Sequence, residues 1–216
     1  MLPLRKFWLS NYFIGVGRFI FLQIGRWIWG YPRWHCSPVN RKPYVLDIID
    51  TVEKMIEDGI IGTGYIVEVG CGRGDIIGNI RYEKRVGIDI DGTVINAAKF
   101  FHSDMEFIKG EFDAIPVDDI DVLIVAGFLH GASPEYAHEL LSRVLPKTKL
   151  FIFDVFLDAK GDPLPGWVDE SHHAYTHSGE YLCDGKFGLI YKGKEFQSSA
   201  AGLDALRHME YWLKKE

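Results

Sequence analysis

The sequence predicts a doubly wound α/β domain, with a mostly parallel sheet and helices on both of its faces. Five short apolar runs between residues 65 and 155 alternate with helical patterns. These runs are apolar on both faces, as strands in a covered parallel sheet are. The chain has 216 residues, 47% of them apolar, which is enough for one domain with a full hydrophobic core.

A basic, aromatic arm precedes this domain, and we place the boundary between residues 43 and 44. From Met1 to Leu46 there are seven basic and no acidic side chains, together with four of the six Trp. The whole chain has 24 basic and 30 acidic residues and a net charge of −6, so the remainder carries −13. We expect the arm to be helical in part, because four glycines weaken a single long helix (Gly15, Gly17, Gly25 and Gly30).

Three roles for the arm stay open: a lid over the body, a contact between the subunits of a homodimer, and an interfacial helix on an anionic lipid surface. Its glycines favour the protein contacts over the lipid contact. Arg18 and Arg26 divide its apolar stretches into pieces too short to span a bilayer. No small-residue cleavage site of a secretory signal follows the apolar run Phe7–Gly17.

The composition of the body excludes some partners and favours one compartment. Its acidic balance opposes non-specific binding of nucleic acid, which requires a basic face. The three Cys are widely spaced and match neither a disulfide framework nor a metal-binding motif. We therefore expect reduced thiols, no metal site, and a cytoplasmic protein, peripheral at the inner membrane face if the arm binds lipid.

The elements of the domain follow from local patterns. Tyr44–Asp58 has apolar residues at the spacing of an amphipathic helix. Strands are then predicted at Tyr65–Val69, Arg85–Ile88, Met105–Ile108, Val122–Ala126 and Leu150–Val155. Helices between them are predicted at Asp75–Ile80, Thr93–Phe101 and Pro134–Leu145.

The pattern changes after the fifth strand. A loop rich in Gly, Pro and His extends from Asp158 to Ser178. Asp184-Gly185 is a strong two-residue turn signal, and it predicts a β-hairpin formed by Glu180–Cys183 and Phe187–Tyr191. A C-terminal helix is predicted after it, because apolar residues recur at helical spacing (Leu203, Leu206, Met209, Trp212 and Leu213).

The most informative motif runs from Glu68 to Asp75, with the sequence Glu-Val-Gly-Cys-Gly-Arg-Gly-Asp, at the end of the first strand. Alternate glycines allow a sharp turn and a close approach of the backbone to a ligand. A dinucleotide pyrophosphate would place its charge beside Asp75, where its own motif has a third glycine. Glu68 makes the pocket negative, which suits a ligand with a sulfonium and an ammonium group. Asp89, at the end of the second strand, can accept hydrogen bonds from a ribose.

From about Tyr44 to Val155 the sequence resembles the class I S-adenosylmethionine-dependent methyltransferases, which have a Rossmann-like fold. Their acidic, glycine-rich loop is matched by Glu68–Gly74, and the acid after their second strand is matched by Asp89. Glu111 stands where the family has an acid that meets adenine, and Phe112 is placed to cover that ring. The resemblance implies S-adenosyl-L-methionine as the cofactor, with contacts from Glu68, Gly70, Cys71, Gly72, Gly74, Asp89, Ile90, Glu111 and Phe112.

The end of the arm shows a second resemblance. Residues 34–44, with the pattern W-H-x-S-P followed by R-K-P-Y, look like a segment of methyltransferases encoded among capsule, O-antigen and exopolysaccharide biosynthesis enzymes. This resemblance implies that Arg41 and Tyr44 lie near the cofactor carboxylate, and that the acceptor is a sugar or a small polar molecule. The alternative is that Trp34 and Tyr44 only pack the arm against the sheet.

The candidates for a general base come from the carboxyl ends of the strands, where ligands bind in open α/β sheets. Transfer of a methyl group to a hydroxyl requires a group that accepts the proton. His130 follows the fourth strand, and His172 and His173 lie in the loop after the fifth, so these three are the catalytic candidates. Asp154 and His177 are further alternatives.

Other functions remain open at this stage. Aminopropyl transfer from a decarboxylated cofactor uses a related fold. A catalytically silent protein would bind the cofactor and act in assembly through its arm. A dinucleotide oxidoreductase ranks lower because of Asp75.

Overall fold

The computed structural model describes residues 12–32, 35, 42–157, 175–198 and 205–215. The predicted site residues Arg41, His172 and His173, and most of the loop 158–178, lie outside the described residues. The helices are α1 (Tyr12–Trp29), α2 (Pro43–Glu57), α3 (Gly92–Phe101), α4 (Pro134–Ser142) and α5 (Gly179–Leu182). The strands are β1 (Tyr65–Val69), β2 (Arg85–Asp89), β3 (Glu106–Lys109), β4 (Ile120–Val125), β5 (Thr148–Leu157), β6 (Phe187–Lys192), β7 (Phe196–Ser198) and β8 (Ala205–Lys214).

One sheet contains these eight strands, in the order β3-β2-β1-β4-β5-β8-β6, with β7 also paired to β8. Strands β1 to β5 are parallel, and β8 is antiparallel to β5, β6 and β7. The predicted mostly parallel, doubly wound sheet is therefore confirmed. The chain runs outward from β1 to β3 and then returns to β4 on the other side of β1. Such a reversal opens a crevice at the carboxyl ends of the two central strands.

Helices cover both faces of the sheet. The apolar residues of α2 follow the predicted helical spacing, and they pack with Ile66, Ile124 and Ile152 on one face. Helix α3 joins the same core through Ile95 and Ala98. Helix α4 packs on the opposite face, which includes Phe151 and Phe153.

Helix α1 is continuous for 18 residues, although its glycines were expected to weaken a single helix. It ends at Gly30, whose φ of +77° lies in the left-handed region that glycine tolerates. At Gly25, a Cβ atom would lie only 2.7 Å from the hydroxyl of Tyr31. Tertiary contact with the following turn thus explains one of these glycines.

The predicted C-terminal helix is wrong, because Ala205–Lys214 forms strand β8. The strand lies between β5 and β6, so both of its edges are hydrogen-bonded, and each of its faces packs in a separate core cluster. Residues of both faces are therefore buried, including the polar Arg207 and Glu210. The apolar residues Met209 and Trp212 lie on opposite faces of the sheet, and their three-residue spacing only imitated a helix.

The predicted hairpin is also wrong in its first half. Glu180–Cys183 lies in and just after the short helix α5, and does not form a strand. Asp184 and Gly185 do turn the chain with positive φ angles of 50° and 66°, as the turn signal requires. The turn joins α5 to β6, and β6 pairs with β8 from the distant end of the chain.

Candidate active site

A cavity of about 460 Å³ lies at the carboxyl edge of the sheet, where the strand order reverses. Its volume is within the range of cofactor and small-molecule sites. Four parts of the body form its walls: the glycine-rich loop after β1, the end of β2, the segment after β4, and Arg207 of β8. The arm completes it with His35 and Lys42, and Tyr44 of α2 adds an aromatic wall.

A larger cavity of about 560 Å³ lies against α5, β6 and β8. It is lined by three glutamates, Glu180, Glu195 and Glu210, and by none of the residues of the glycine-rich loop. Of these two cavities, the smaller one is lined by the glycine-rich loop and Asp89, so we assign the candidate site to it.

The glycine-rich loop turns through three left-handed residues, Gly70, Gly72 and Gly74, with φ angles of 75°, 54° and 76°. A Cβ atom on Gly72 would lie 3.0 Å from the ring of His35, so the arm closes over a position that only glycine can fill. The predicted helix at Asp75–Ile80 is wrong, because turns and a three-residue 3₁₀ helix, Ile77–Asn79, follow the loop. The left-handed residues lead the chain away from α-helical geometry.

Glu68 is buried beneath this loop, and its Oε2 accepts a hydrogen bond of 2.9 Å from the backbone N–H of Ile77. Burial raises the pKa of Glu68 well above its usual value, and the negative charges of Asp75 and Asp89 raise it further. A buried carboxylate favours a cationic partner, since its charge is otherwise costly. Glu68 therefore suits a positively charged ligand, as predicted from its position.

Asp75 is held by two cations. Lys42 Nζ lies 2.8 Å from its Oδ2, and the guanidinium of Arg73 lies 3.0 Å from the same oxygen. Burial alone would lower the pKa of Lys42, but the carboxylate of Asp75 raises it overall. The sequence suggested that Asp75 has no partner in the cavity, but these two cations balance its charge. A pyrophosphate is disfavoured mainly because no helix N-terminus follows the loop.

Asp89 connects β2 to the glycine-rich loop. Its Oδ2 accepts from the backbone N–H of Gly72 at 2.8 Å, and its Oδ1 accepts from that of Asp91 at 2.9 Å. Each carboxylate oxygen has a second lone pair, so Asp89 retains capacity for a ligand hydroxyl. Asp91 caps α3 by accepting a hydrogen bond from the backbone N–H of Thr93. Ile90, a predicted cofactor contact, is 60% exposed beside it.

The far wall of the cavity contains Phe128, which the sequence reasoning did not single out. It packs against Gly70, where a Cβ atom would lie 3.2 Å from the Phe128 Cβ. The predicted adenine contact Phe112 is buried and meets Phe128 edge to face, with the ring centroids 5.9 Å apart. In the described part of the chain, neither Phe112 nor Glu111 is among the residues that line the cavity.

His130 lies at the end of the cavity formed by the segment after β4. Its ring centroid is 5.0 Å from that of Phe156. Its Nδ1 is buried and has no hydrogen-bond partner among the described residues. Burial lowers the pKa of His130, so its ring is neutral at pH 7. A neutral, unpartnered ring nitrogen can accept a proton.

An ion pair between Arg207 and Asp154 supports this end of the cavity. The two side chains are buried and lie 2.5 Å apart, and Asp154 also accepts from the N–H of Gly127 at 2.7 Å. Burial alone would raise the pKa of Asp154, but the Arg207 guanidinium lowers it overall. The guanidinium also stacks 4.5 Å from the ring of Phe156. Asp154 is therefore committed to Arg207, which makes it a poor base.

Two further residues named from the sequence, His177 and Cys71, lie in different cavities. His177 is buried and contacts the backbone carbonyl of Leu129 through Nε2 at 2.7 Å, and it lines the larger cavity. Cys71 lines the candidate site, but burial raises the pKa of its thiol well above the usual value, which opposes a nucleophilic role.

Besides Phe128, the cavity residues that were not predicted include His35, Lys42 and Arg207. His35 and Lys42 lie within the quoted arm motif, so the motif contained a signal for them, but only Arg41 and Tyr44 were named. Arg207 was missed because its segment was interpreted as a C-terminal helix. No local pattern of β8 points to the cavity, since the strand reaches it by pairing with β5.

The chain is similar to known proteins in sequence and in fold. Residues 67–153 match the family model described as a methyltransferase domain. A search of curated protein sequences finds no match.

Three solved structures illustrate the likeness in fold. The first is a magnesium protoporphyrin IX methyltransferase from Synechocystis PCC 6803 with bound S-adenosylhomocysteine (SAH), with 14% identity, coverage of 98% of each chain and a TM-score of 0.58. The second is the N-methyltransferase NodS from Bradyrhizobium japonicum WM9 with SAH, with 11% identity, coverage of 82% of this chain and 88% of that chain, and a TM-score of 0.57. The third is the N-terminal domain of EvdMO1 in the presence of SAH and D-fucose, with 12% identity, coverage of 78% and 83%, and a TM-score of 0.55.

The match covers β1 through most of β5, and therefore the glycine-rich loop, Asp89 and the segment after β4. These are the parts of the body that form most of the cavity. The matched segment is that of a methyltransferase domain, and the sheet has the fold of S-adenosylmethionine-dependent methyltransferases, with a cavity suited to a cationic nucleoside.

Proposed function

We propose that the enzyme transfers the methyl group to a hydroxyl of a small, carbohydrate-related acceptor, in the biosynthesis of a surface polysaccharide. The observation that carries the hydroxyl assignment is the buried, neutral ring of His130, whose Nδ1 has no partner among the described residues. A hydroxyl must lose a proton during methylation, so it requires such a base.

The residues of the cavity fit S-adenosylmethionine. The buried carboxylate of Glu68 lies beneath a loop where the backbone can approach a ligand closely, and it favours the positive charge of this cofactor. Asp89 retains lone pairs for the ribose hydroxyls. Lys42 and Arg73 offer positive charge beside Asp75, which suits the cofactor carboxylate. Ile90, Glu111 and Phe112 remain proposed contacts on the adenine side, with Phe128 as the aromatic wall.

The cofactor, when bound, supplies an activated methyl group on its sulfonium. The protein then has to align the acceptor oxygen with that methyl and remove water from the cavity. Methyl transfer forms an O–CH₃ bond on the acceptor. The O–H bond of the acceptor and the sulfur–methyl bond break. The proton of the hydroxyl passes to the imidazole of His130. Arg207 and Asp154 hold the wall beside it in place.

The sugar assignment has two supports. One is the resemblance of residues 34–44 to enzymes of surface polysaccharide biosynthesis. The other is the EvdMO1 domain, a protein of the same fold whose structure was determined in the presence of D-fucose. The three histidines His130, His172 and His173 remain the proposed catalytic set, with His130 as the base.

Incubation of the purified enzyme with methyl-labelled S-adenosylmethionine and separate pools of nucleotide sugars, free monosaccharides and amines tests this function. We expect label in an O-methyl sugar, identified by mass spectrometry after hydrolysis. His130→Gln should abolish the label while leaving SAH binding intact. Label that enters only the amine pool would contradict both the acceptor and the role of His130.

A further inference from the structure

Helix α1 has one face packed on the body. Leu22 and Tyr31 form a small core with Val94 and Ala97 of α3, and the Tyr31 hydroxyl donates to the backbone carbonyl of Leu22 at 2.7 Å. Trp29 extends this contact along α3. This face holds the helix against the body.

The opposite face of α1 is apolar as well, and it is exposed. Four of its side chains are spaced so that they form one stripe along the helix. Phe100 of α3 adjoins the stripe through its contact with Trp29 and is also exposed. We call these five residues the arm patch, with exposures of 56% for Ile20, 52% for Ile24, 92% for Trp27, 66% for Ile28 and 64% for Phe100.

The arm patch is large for an exposed apolar surface. Taking about 150–250 Å² for each large side chain, it offers roughly 600 Å² to solvent, which is at the upper end for the surface of a monomer. An apolar face of a helix is normally buried, and here a second apolar face is left exposed opposite the packed one. The arm patch therefore indicates a second binding surface.

The charge around the arm patch is positive. Helix α1 contains no Asp or Glu, and Arg26 is exposed on it. Lys99 is exposed next to Phe100 on α3. The first 46 residues carry seven basic and no acidic side chains, whereas the rest of the chain carries −13. An apolar stripe with basic neighbours is complementary to a surface of anionic lipid.

We propose that the arm patch docks on a membrane surface that bears anionic phospholipids, with α1 lying in the interfacial plane. No described helix is both long and apolar enough to cross a bilayer, so the proposed contact is with one surface only. Two copies joined through their arm patches would bring Arg26 and Lys99 of one copy close to those of the other, whereas anionic lipid would neutralise these charges. A lid over the body is also disfavoured, because the four α1 side chains of the arm patch are exposed, whereas Leu22 on the other face of α1 packs on α3.

This docking would place the cofactor cavity close to the membrane. The chain leaves α1 at Trp29 and reaches His35 and Lys42, both of which line the cavity. The arm thus links the arm patch to the cavity through a short stretch of chain. The enzyme would be positioned for an acceptor at the membrane surface, although the docking itself does not depend on which acceptor is used.

Flotation of the full chain with phosphatidylcholine vesicles, with or without phosphatidylglycerol, tests the docking. We expect at least tenfold higher partition onto the vesicles that contain phosphatidylglycerol, and loss of that binding at high salt. A patch variant, Ile20→Gln with Ile24→Gln, Trp27→Gln and Ile28→Gln, should lower this partition at least tenfold. A control variant changes four comparably exposed side chains of the body to Gln and should bind as the wild type does: Ile60, Tyr136, Tyr181 and Ile190.

Circular dichroism and thermal unfolding of both variants establish that they are folded before partition is compared. Equal partition of the wild type and the folded patch variant would overturn the proposal, as would equal binding to vesicles with and without phosphatidylglycerol. Sedimentation equilibrium adds a second readout. A concentration-dependent dimer that the patch variant abolishes, without vesicle binding by the wild type, would assign the arm patch to a second copy of the chain and overturn the lipid contact.

Discussion

At the scale of single residues, burial decides which titratable groups of the cavity can act. His130 follows β4 and Asp154 lies in β5, and both were candidates for the base. Asp154 is paired with Arg207 and keeps its charge, whereas the ring of His130 is neutral. Sequence position alone could not separate these two residues, because the difference comes from a partner 53 positions away in the chain.

The pH dependence of turnover tests the role of His130. Burial lowers the pKa of His130 from its usual 6.5, so the neutral, active form persists below that value. We expect the acid limb of the kcat profile to lie below pH 6.5. We also expect His130→Asn to lower kcat about 10²- to 10⁴-fold and to remove that limb.

The matched control for this experiment is His138→Asn, since His138 lies on the outer side of α4 beside Asp184. It should change neither kcat nor the profile. SAH affinity should be the same in both variants and the wild type. An acid limb that remains in His130→Asn would assign the titration to another group.

At the scale of elements, local pattern predicted the parallel strands well and the antiparallel part poorly. The bounds of β1 are those predicted, and β2 differs from its prediction by one residue. These strands are short apolar runs between helices, so local sequence describes them. Strand β8 packs in a core cluster on each face of the sheet, and this burial erased the alternation that identifies a strand. The first half of the predicted hairpin was wrong because the partner of β6 is the distant strand β8, which no local pattern indicates.

The contact of α5 with β8 gives a stability prediction. A Cβ atom on Gly179 would lie between 2.1 and 2.5 Å from the indole of Trp212, whose Nε1 donates to Glu210 at 2.9 Å. We expect Gly179→Ala to lower the free energy of unfolding by about 1–3 kcal/mol, through overpacking. Urea denaturation of the two proteins measures this difference.

Gly188→Ala in β6 is the control for this substitution, because its nearest atom, in Lys215, would be 3.7 Å away. This contact is an ordinary one, so we expect little change in stability. Equal stability of Gly179→Ala and the wild type would show that Trp212 can move aside at no cost.

At the scale of the whole molecule, the net charge of −6 is the sum of a basic arm and an acidic body, which have different roles. The acidic body supplies Glu68 and Asp89 to a cavity for a cationic cofactor. The basic arm supplies Lys42 to the same cavity and carries the arm patch on its other face. The cavity is complete only when the arm and the body are together, so cofactor binding should stabilise the folded state as a whole.

Ligand-induced stabilisation tests this assembly. At about 100 times its Kd, SAH should add about 2.7 kcal/mol to the free energy of unfolding. For a domain of this size that corresponds to an increase in Tm of roughly 5–10 °C. Differential scanning fluorimetry measures the shift. NAD at the same concentration should leave Tm unchanged, because no helix N-terminus follows the glycine-rich loop to bind a pyrophosphate.

Asp89→Ala should reduce the SAH-induced shift at a fixed ligand concentration, since it removes the proposed ribose acceptor. Asp58→Ala, which changes a partly exposed carboxylate in a surface pair with Lys54, is the control and should retain the full shift. A larger shift with NAD than with SAH would contradict the cofactor assignment.

The sequence by itself determined the class of this protein, because the cofactor loop is local. Glu68 and Asp89 belong to two adjacent strands and the three glycines to the loop after the first of them, so their spacing is readable without long-range contacts. Only the tertiary structure decided which other residues complete the cavity. Arg207 reaches it through the pairing of β8 with β5, and His35 reaches it because the arm folds back over Gly72. Likewise, the opposite faces of α1 have similar composition, and packing on α3 alone determined which one was buried and which remained as a surface for a partner.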